Sequence, residues 1–191
     1  IKFNRIDALN AINDEFITEL IAALDTAEKD PDIRSVVLAS AHEKVYCTGA
    51  DLKMAQSLLG DPKKVAELVS QGQKAIDKIA TLSKPVIAAI NGLCLGGGTE
   101  IALACDIRIC EEEAKIGTPE VSLGLLPAWG GCVRLPRIVG LGRGLEMILT
   151  GGQVTAAEAL QMGLVSKVTK KEELISQAMW YGAKLGGNAP V

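Results

Sequence analysis

Histidine is nearly absent from this chain of 191 residues. Only His42 is present, in the charged stretch Ala41-His42-Glu43-Lys44, and nothing places it near a nucleophile. A Ser-His-Asp triad would have to use that single ring, so acid–base work is expected of other side chains. Long apolar runs are also lacking. Hydrophobic residues make up 48% of the chain, yet no run reaches the roughly 18 residues of a membrane helix. Ile1 to Arg5 shows none of the basic, apolar, small-residue order of a signal peptide. Lys and Arg form no cluster and the net charge is −3, which argues against the basic footprint of a nucleic-acid binder. Paired cysteine spacing is missing as well. Cys47, Cys94, Cys105, Cys110 and Cys132 are odd in number, which argues against a disulfide framework and against a zinc knuckle. Set among apolar neighbours, they are expected to be small buried hydrophobes in a reducing compartment. With no solenoid-period repeat and no low-complexity linker, residues 1–191 are expected to form one domain around one core.

What is present is a succession of helix and strand patterns. Ile12, Phe16, Leu20 and Leu24, with Ile17 and Ile21 beside them, mark one face of a helix over 12–28, which Asp30-Pro31 ends. Residues 33–38 read as a buried strand, followed by a loop from Tyr46 to Asp51. A second helix covers 64–80, and Pro85 to Ile90 is another buried strand, ended by Asn91-Gly92. Gly96-Gly97-Gly98 opens a short helix through Ala104, and residues 107–110 form a third strand. Strands alternating with helices predict an α/β fold with mostly parallel pairing. Apolar strands without alternation fit a sheet covered on both faces.

Three segments carry chemistry. Gly96-Gly97-Gly98-Thr99-Glu100 leaves backbone N–H groups bare at a helix start, suited to a phosphate or to a carbonyl oxygen gaining charge. It lacks both the Gly-Lys-Ser/Thr of a P-loop and the Gly-x-Gly-x-x-Gly of a dinucleotide turn. The alternative is a tight turn that lets backbones pack. Thr48-Gly49-Ala50-Asp51-Leu52-Lys53 follows a strand and is placed at the carboxyl edge of the sheet, where ligands of α/β sheets bind. Its plainer reading is a helix start capped by Asp51. Gly117-Thr118-Pro119-Glu120 holds a glutamate on a fixed loop. Glu100 and Glu120 can therefore meet over one site, where paired carboxylates take different pKa values. Taken singly, each reads as a solvated surface charge.

Together these segments resemble the enoyl-CoA hydratase/isomerase (crotonase) family over almost the whole chain. Asn4-Arg5 with Ala8-Leu9-Asn10-Ala11 is similar to its opening element, and Gly49-Ala50-Asp51-Leu52-Lys53 to its Gly-Ala-Asp loop. Asn91-Gly92 through Gly96-Gly97-Gly98-Thr99-Glu100 and Cys105-Asp106 resembles its central glycine-rich element. Gly117-Thr118-Pro119-Glu120, Gly124, Pro127 and Gly130-Gly131 resemble the loop that follows. Thr150-Gly151, Ala156-Ala157-Glu158-Ala159 and Gly163-Leu164-Val165 resemble the later helix pair.

The resemblance implies a ClpP/crotonase-like ββα-superhelix core and hydration of a 2-enoyl-CoA thioester. It makes the Ala50 and Gly97 N–H groups an oxyanion hole and Glu100 and Glu120 the groups that activate water. It places Ala50, Asp51, Leu52 and Lys53 along the CoA site. It implies no metal and no cofactor beyond the CoA of the substrate, and no nucleic-acid or membrane partner. A homotrimer or dimer of trimers is implied, in the cytoplasm, or in the mitochondrial matrix if a presequence has been lost. The sequence departs from the family at Ile6, where a proline is usual, and at Trp129. The indole either shortens the acyl chain accepted or packs at a helix start. The resemblance also implies a chain short at both ends, with the relatives' C-terminal trimerisation helices lying beyond it. Within the family, isomerases often use only the carboxylate corresponding to Glu120, so the pair favours a hydratase. A non-catalytic CoA- or RNA-binding module on the same fold is the alternative from another class.

Overall fold

Asn13 starts the first helix. Its Oδ1 accepts the Phe16 N–H at 2.9 Å, satisfying one donor that a helix start leaves bare. Helix α1 (Asp14–Lys29) has Asp14 and Glu15 in its first turn and Lys29 in its last, the charge order its dipole favours. It buries Phe16, Ile17, Leu20, Leu24 and Ala27, the face that the apolar spacing predicts. The computed structural model describes residues 1–57 and 60–188.

Two sheets carry the site. In the first, β1 (Lys2–Phe3), β2 (Val36–Ser40), β4 (Val86–Ile90), β6 (Ile107–Glu111) and β9 (Lys167–Thr169) lie in that order, all parallel. In the second, β3 (Val45–Cys47), β5 (Leu93–Leu95) and β7 (Lys115–Gly117) are parallel, and β8 (Gln153–Thr155) runs antiparallel to β7. The chain therefore passes from the first sheet to the second three times, at β2–β3, β4–β5 and β6–β7. Helices follow each passage: α2 (Leu52–Ser57) and α3 (Pro62–Ala80), then α4 (Gly97–Ala104), then α5 (Gly131–Val139) and α6 (Leu141–Thr150), with α7 (Ala156–Gln161) after β8. This is the expected ββα arrangement with mostly parallel pairing. The unit recurs without a fixed sequence period, because its helical part differs in length each time.

The continuous apolar strands are buried on both faces. All five residues of β4 are 0% exposed. Val86, Ala88 and Ile90 face the main core with α1, α3 and α4. Ile87 and Ala89 join Ala39 and Ile109 against Leu174 and Ala178 of α8 (Leu174–Gly186). A strand covered by helices on both sides has no polar face to alternate with.

Several expectations need correction. Tyr46 and Cys47 belong to β3, where the sequence reads as loop, and Leu93–Leu95 form β5, which the sequence reading passes over. Three-residue strands are too short to show a period, and only their neighbours in the second sheet make them strands. Cys132 is exposed, whereas Cys47, Cys94, Cys105 and Cys110 are buried as expected. It lies in the first turn of α5, whose next residue, Val133, also faces outward. Ala189, Pro190 and Val191 lie outside the described residues. Among the described residues no helix is long and apolar enough to cross a membrane.

Candidate active site

The loop after β3 is fastened from the N-terminal side. Asn10 is fully buried. Its Nδ2 donates to the Tyr46 carbonyl at 2.9 Å, and its Oδ1 accepts the Arg5 N–H at 2.9 Å. Ile12 then pairs with the loop as a short parallel bridge: its N–H donates to the Gly49 carbonyl at 2.8 Å and its carbonyl accepts the Asp51 N–H at 2.9 Å. In such a bridge the residue opposite Ile12 turns its own N–H away. That residue is Ala50.

The N–H of Ala50 is turned out close to the start of α4. Gly49, at φ +90°, lies so near Gly97 that a methyl on it would sit 2.9 Å from the Gly97 amide nitrogen. Gly96 makes the strand-to-helix turn at φ 54° and ψ −123°, a conformation open to glycine. The first N–H groups of α4 have no intrahelical acceptor. Two chain segments thus bring backbone donors and a helix N-terminus together, an arrangement suited to an oxygen that gains negative charge.

Both glutamates come to the same place, and neither is the solvated surface charge that each suggests alone. Glu100, one turn into α4, is 3% exposed. Its Oε1 accepts the Gly131 N–H at 2.8 Å. Burial pushes its pKa up to about 7; the Gly131 amide opposes that rise, Glu120 adds to it, and the Trp129 amide and Arg134 oppose it. Glu120 sits in the 3-10 turn Pro119–Leu123. Its Oε1 lies over Gly96, 3.1 Å from where a methyl there would be, and its buried Oε2 has no hydrogen-bond partner. Burial raises its pKa as well. Thr118 beside it is fully buried with an unpartnered Oγ1. Two carboxyls whose burial makes each resist ionisation suit the taking and giving of protons at one site.

The remaining candidates divide. Asp51 caps α2, its Oδ1 accepting the Lys53 N–H at 3.0 Å, while its Oδ2 pairs with Arg5 at 2.8 Å. Leu52 is 54% exposed and Lys53 is exposed at the start of α2. Trp129 is 6% exposed, and its indole packs against Gly97 at the start of α4. His42 belongs to a turn, its Nδ1 accepting the Lys44 N–H at 3.0 Å. Burial pushes the Cys47 and Cys105 thiols up to about 12, away from thiolate chemistry. Among the described residues no three His, Cys, Asp or Glu side chains are grouped to hold a metal ion.

Sequence reasoning missed the partners of these groups: Arg5 on Asp51, and the Gly131 amide on Glu100. It also passed over Gly72, inside α3. A glycine within a helix is unfavourable without a packing reason, and that was the available signal.

The chain matches the family model described as "Enoyl-CoA hydratase/isomerase" over residues 1–191. It is 41% identical to a short-chain-enoyl-CoA hydratase of Clostridium acetobutylicum, covering 100% of this chain and 72% of that protein. It is 40% identical to a crotonyl-CoA hydratase of Syntrophomonas wolfei, covering 91% of this chain and 66% of that one. Its fold is similar to the crystal structure of an enoyl-CoA hydratase from Bacillus anthracis, with a TM-score of 0.93 and 39% identity over 99% of this chain and 72% of that structure.

Proposed function

The chain belongs to the enoyl-CoA hydratase/isomerase family, and we propose that it adds water reversibly across the double bond of a 2-enoyl-CoA to give a 3-hydroxyacyl-CoA. One observation carries this reading above the others in the family: two carboxyls with raised pKa values, Glu100 and Glu120, meet beside the N-terminus of α4. Moving a double bond needs one group to shuttle a proton. Hydration needs a carboxylate to take a proton from water and a carboxylic acid to deliver one to C2.

In this reading the Ala50 and Gly97 N–H groups bind the thioester oxygen. Attack at C3 pushes charge onto that oxygen as an enolate, and preorganised donors oppose it; loss of one such donor costs about 3–4 kcal/mol. The Glu100–Glu120 pair carries one proton between its members, so water is activated and C2 is protonated at one site. Ala50 to Lys53 line the CoA edge, with Asp51 shaping the loop through its cap and its Arg5 pair. The names of the relatives make crotonyl-CoA the first substrate to try. The working unit is proposed to be a homotrimer or a dimer of trimers.

Loss of the conjugated-thioester absorbance of crotonyl-CoA tests the activity. Glu100→Gln and Glu120→Gln are each expected to lower kcat by at least about 10²-fold while CoA-ester binding persists. A near-parental rate in either variant would remove that residue from the mechanism.

A further inference from the structure

Trp129 stands between two helices that both leave room for it. A methyl on Gly72 of α3 would lie 2.1 Å from Cε2 and Nε1 of its indole, and a methyl on Gly97 of α4 would lie 2.5 Å from Cζ3. The ring plate therefore rests on bare backbone at each end. The turn that carries Trp129 is bound to α3 at two further points. Gln73 Nε2 donates to the Ala128 carbonyl at 2.8 Å. Arg134 donates through Nη2 to Asp77 Oδ1 at 2.8 Å and through Nη1 to the Trp129 carbonyl at 3.3 Å. The same turn supplies the Gly131 N–H that holds Glu100 Oε1 at 2.8 Å.

We propose that α3 is a positioning element for Glu100, acting through the Gly72–Trp129 contact and the Gln73 and Asp77 bonds to residues 128–134. This rests on the reading of Glu100 as an acid–base group. The core of α3 is a separate matter, since Ala75, Ile76 and Ile79 bury it. Gln73 and Asp77 lie one helical turn apart on an exposed strip, outside that core. Their bonds reach the turn behind the glutamate. A displacement of about 1 Å at a catalytic group can cost up to about 10²-fold in rate, so a small tilt of α3 is felt at Glu100.

The pH profile separates positioning from simple structural support. Glu100 is faced by Glu120 from the 3-10 turn after β7, and by Arg134 and Cys132 from α5, with Asp77 of α3 reaching it through Arg134. A pair that must hold one proton gives a bell-shaped profile. Backbone N–H groups favour the ionised carboxylate, so loosening them raises the pKa of Glu100. Raising either member of the pair moves the midpoint of the bell to higher pH.

The test compares the parent with Gly72→Ala, Gln73→Ala and Gly72→Ala/Trp129→Phe on crotonyl-CoA. Gly72→Ala forces the indole off α3 and is expected to lower kcat between about tenfold and 10²-fold. KM should change little, and the midpoint should move up. The smaller phenyl ring should recover part of the rate. Gln73 is exposed and neutral, so its loss alters neither core nor charge; Gln73→Ala is expected to lower kcat about threefold with the same direction of shift. If Gly72→Ala fails to fold, Gln73→Ala decides. Folded variants with the parental kcat and midpoint would overturn the proposal, as would a fall in kcat with the midpoint unmoved. Should Glu100→Gln keep the parental rate, the acid–base reading itself falls. Should it abolish turnover while the α3 variants are unaffected, only the positioning role falls.

Discussion

Glu100 is a carboxyl group held where its charge is unwelcome. Its pKa rises from 4.5 to about 7, burial being the first cause, so the folded protein holds this proton more tightly than the unfolded chain does. The sign follows from linkage: this contribution to stability is present below pH 4.5 and is lost as pH climbs to about 7. Glu100→Gln removes the titration. Its stability relative to the parent is expected to improve across that window, by roughly 3 kcal/mol in total, and then to level off. Urea melts of both proteins at pH 4.5, 6 and 8 check this; a difference that stays constant with pH would mean that the Glu100 site is wetter than its burial indicates. At this scale the sequence was legible in part. The glycine run and the fixed loop pointed to both glutamates, but the burial that raises them, and the Gly131 amide that opposes the rise at Glu100, depend on residues distant in the chain, which no local spacing displays.

At the scale of elements, the loop over 48–51 shows how a short segment is aimed. Arg5 donates to the Ala11 carbonyl at 2.9 Å and pairs with Asp51 at 2.8 Å, joining the N-terminal turn to the start of α2. Both side chains are partly exposed, so the pair itself contributes at most about 1 kcal/mol. Arg5→Ala is therefore expected to lower stability by about that much, while kcat falls several-fold because Asp51, next to Ala50, loses one of the contacts that hold the loop. Denaturant midpoints and turnover measured on one preparation separate the two effects. An unchanged kcat would make the pair purely structural. The long elements were legible because α1 and α3 declare a helical period; their caps, Asn13 and Asp61, emerged with the structure. β3 and β5 were not, since three residues hold no period and their ladder partners lie far along the chain.

For the whole molecule, the exposed apolar residues form stripes. Leu141, Leu145 and Leu149 follow one face of α6, Leu123, Leu125, Leu126 and Val133 are exposed as well, and Ile175, Met179 and Trp180 mark α8. An exposed apolar stripe on a helix calls for a cover. Sedimentation velocity across a dilution series is expected to show self-association, with a trimer as the proposed species. A monomer at all concentrations with full hydratase activity would dismiss it.

Local pattern was enough to mark the helices over 12–28 and 64–80, the short helix through Ala104 and the buried strands over 33–38, 85–90 and 107–110, while the glycine run and the Gly-Thr-Pro-Glu loop pointed to Glu100 and Glu120 and the family resemblance added Ala50 and Gly97. Local period, capping residues and glycine punctuation are properties of neighbouring residues and need no third dimension. Tertiary structure alone brings the two glutamates to one desolvated place, pairs Asp51 with Arg5 and turns Cys132 outward. It alone showed that Trp129 lies between Gly72 and Gly97. Burial and close approach are made by residues distant in the chain, brought together where strands leave one sheet for the other, and a pKa or a contact exists only once that meeting has occurred.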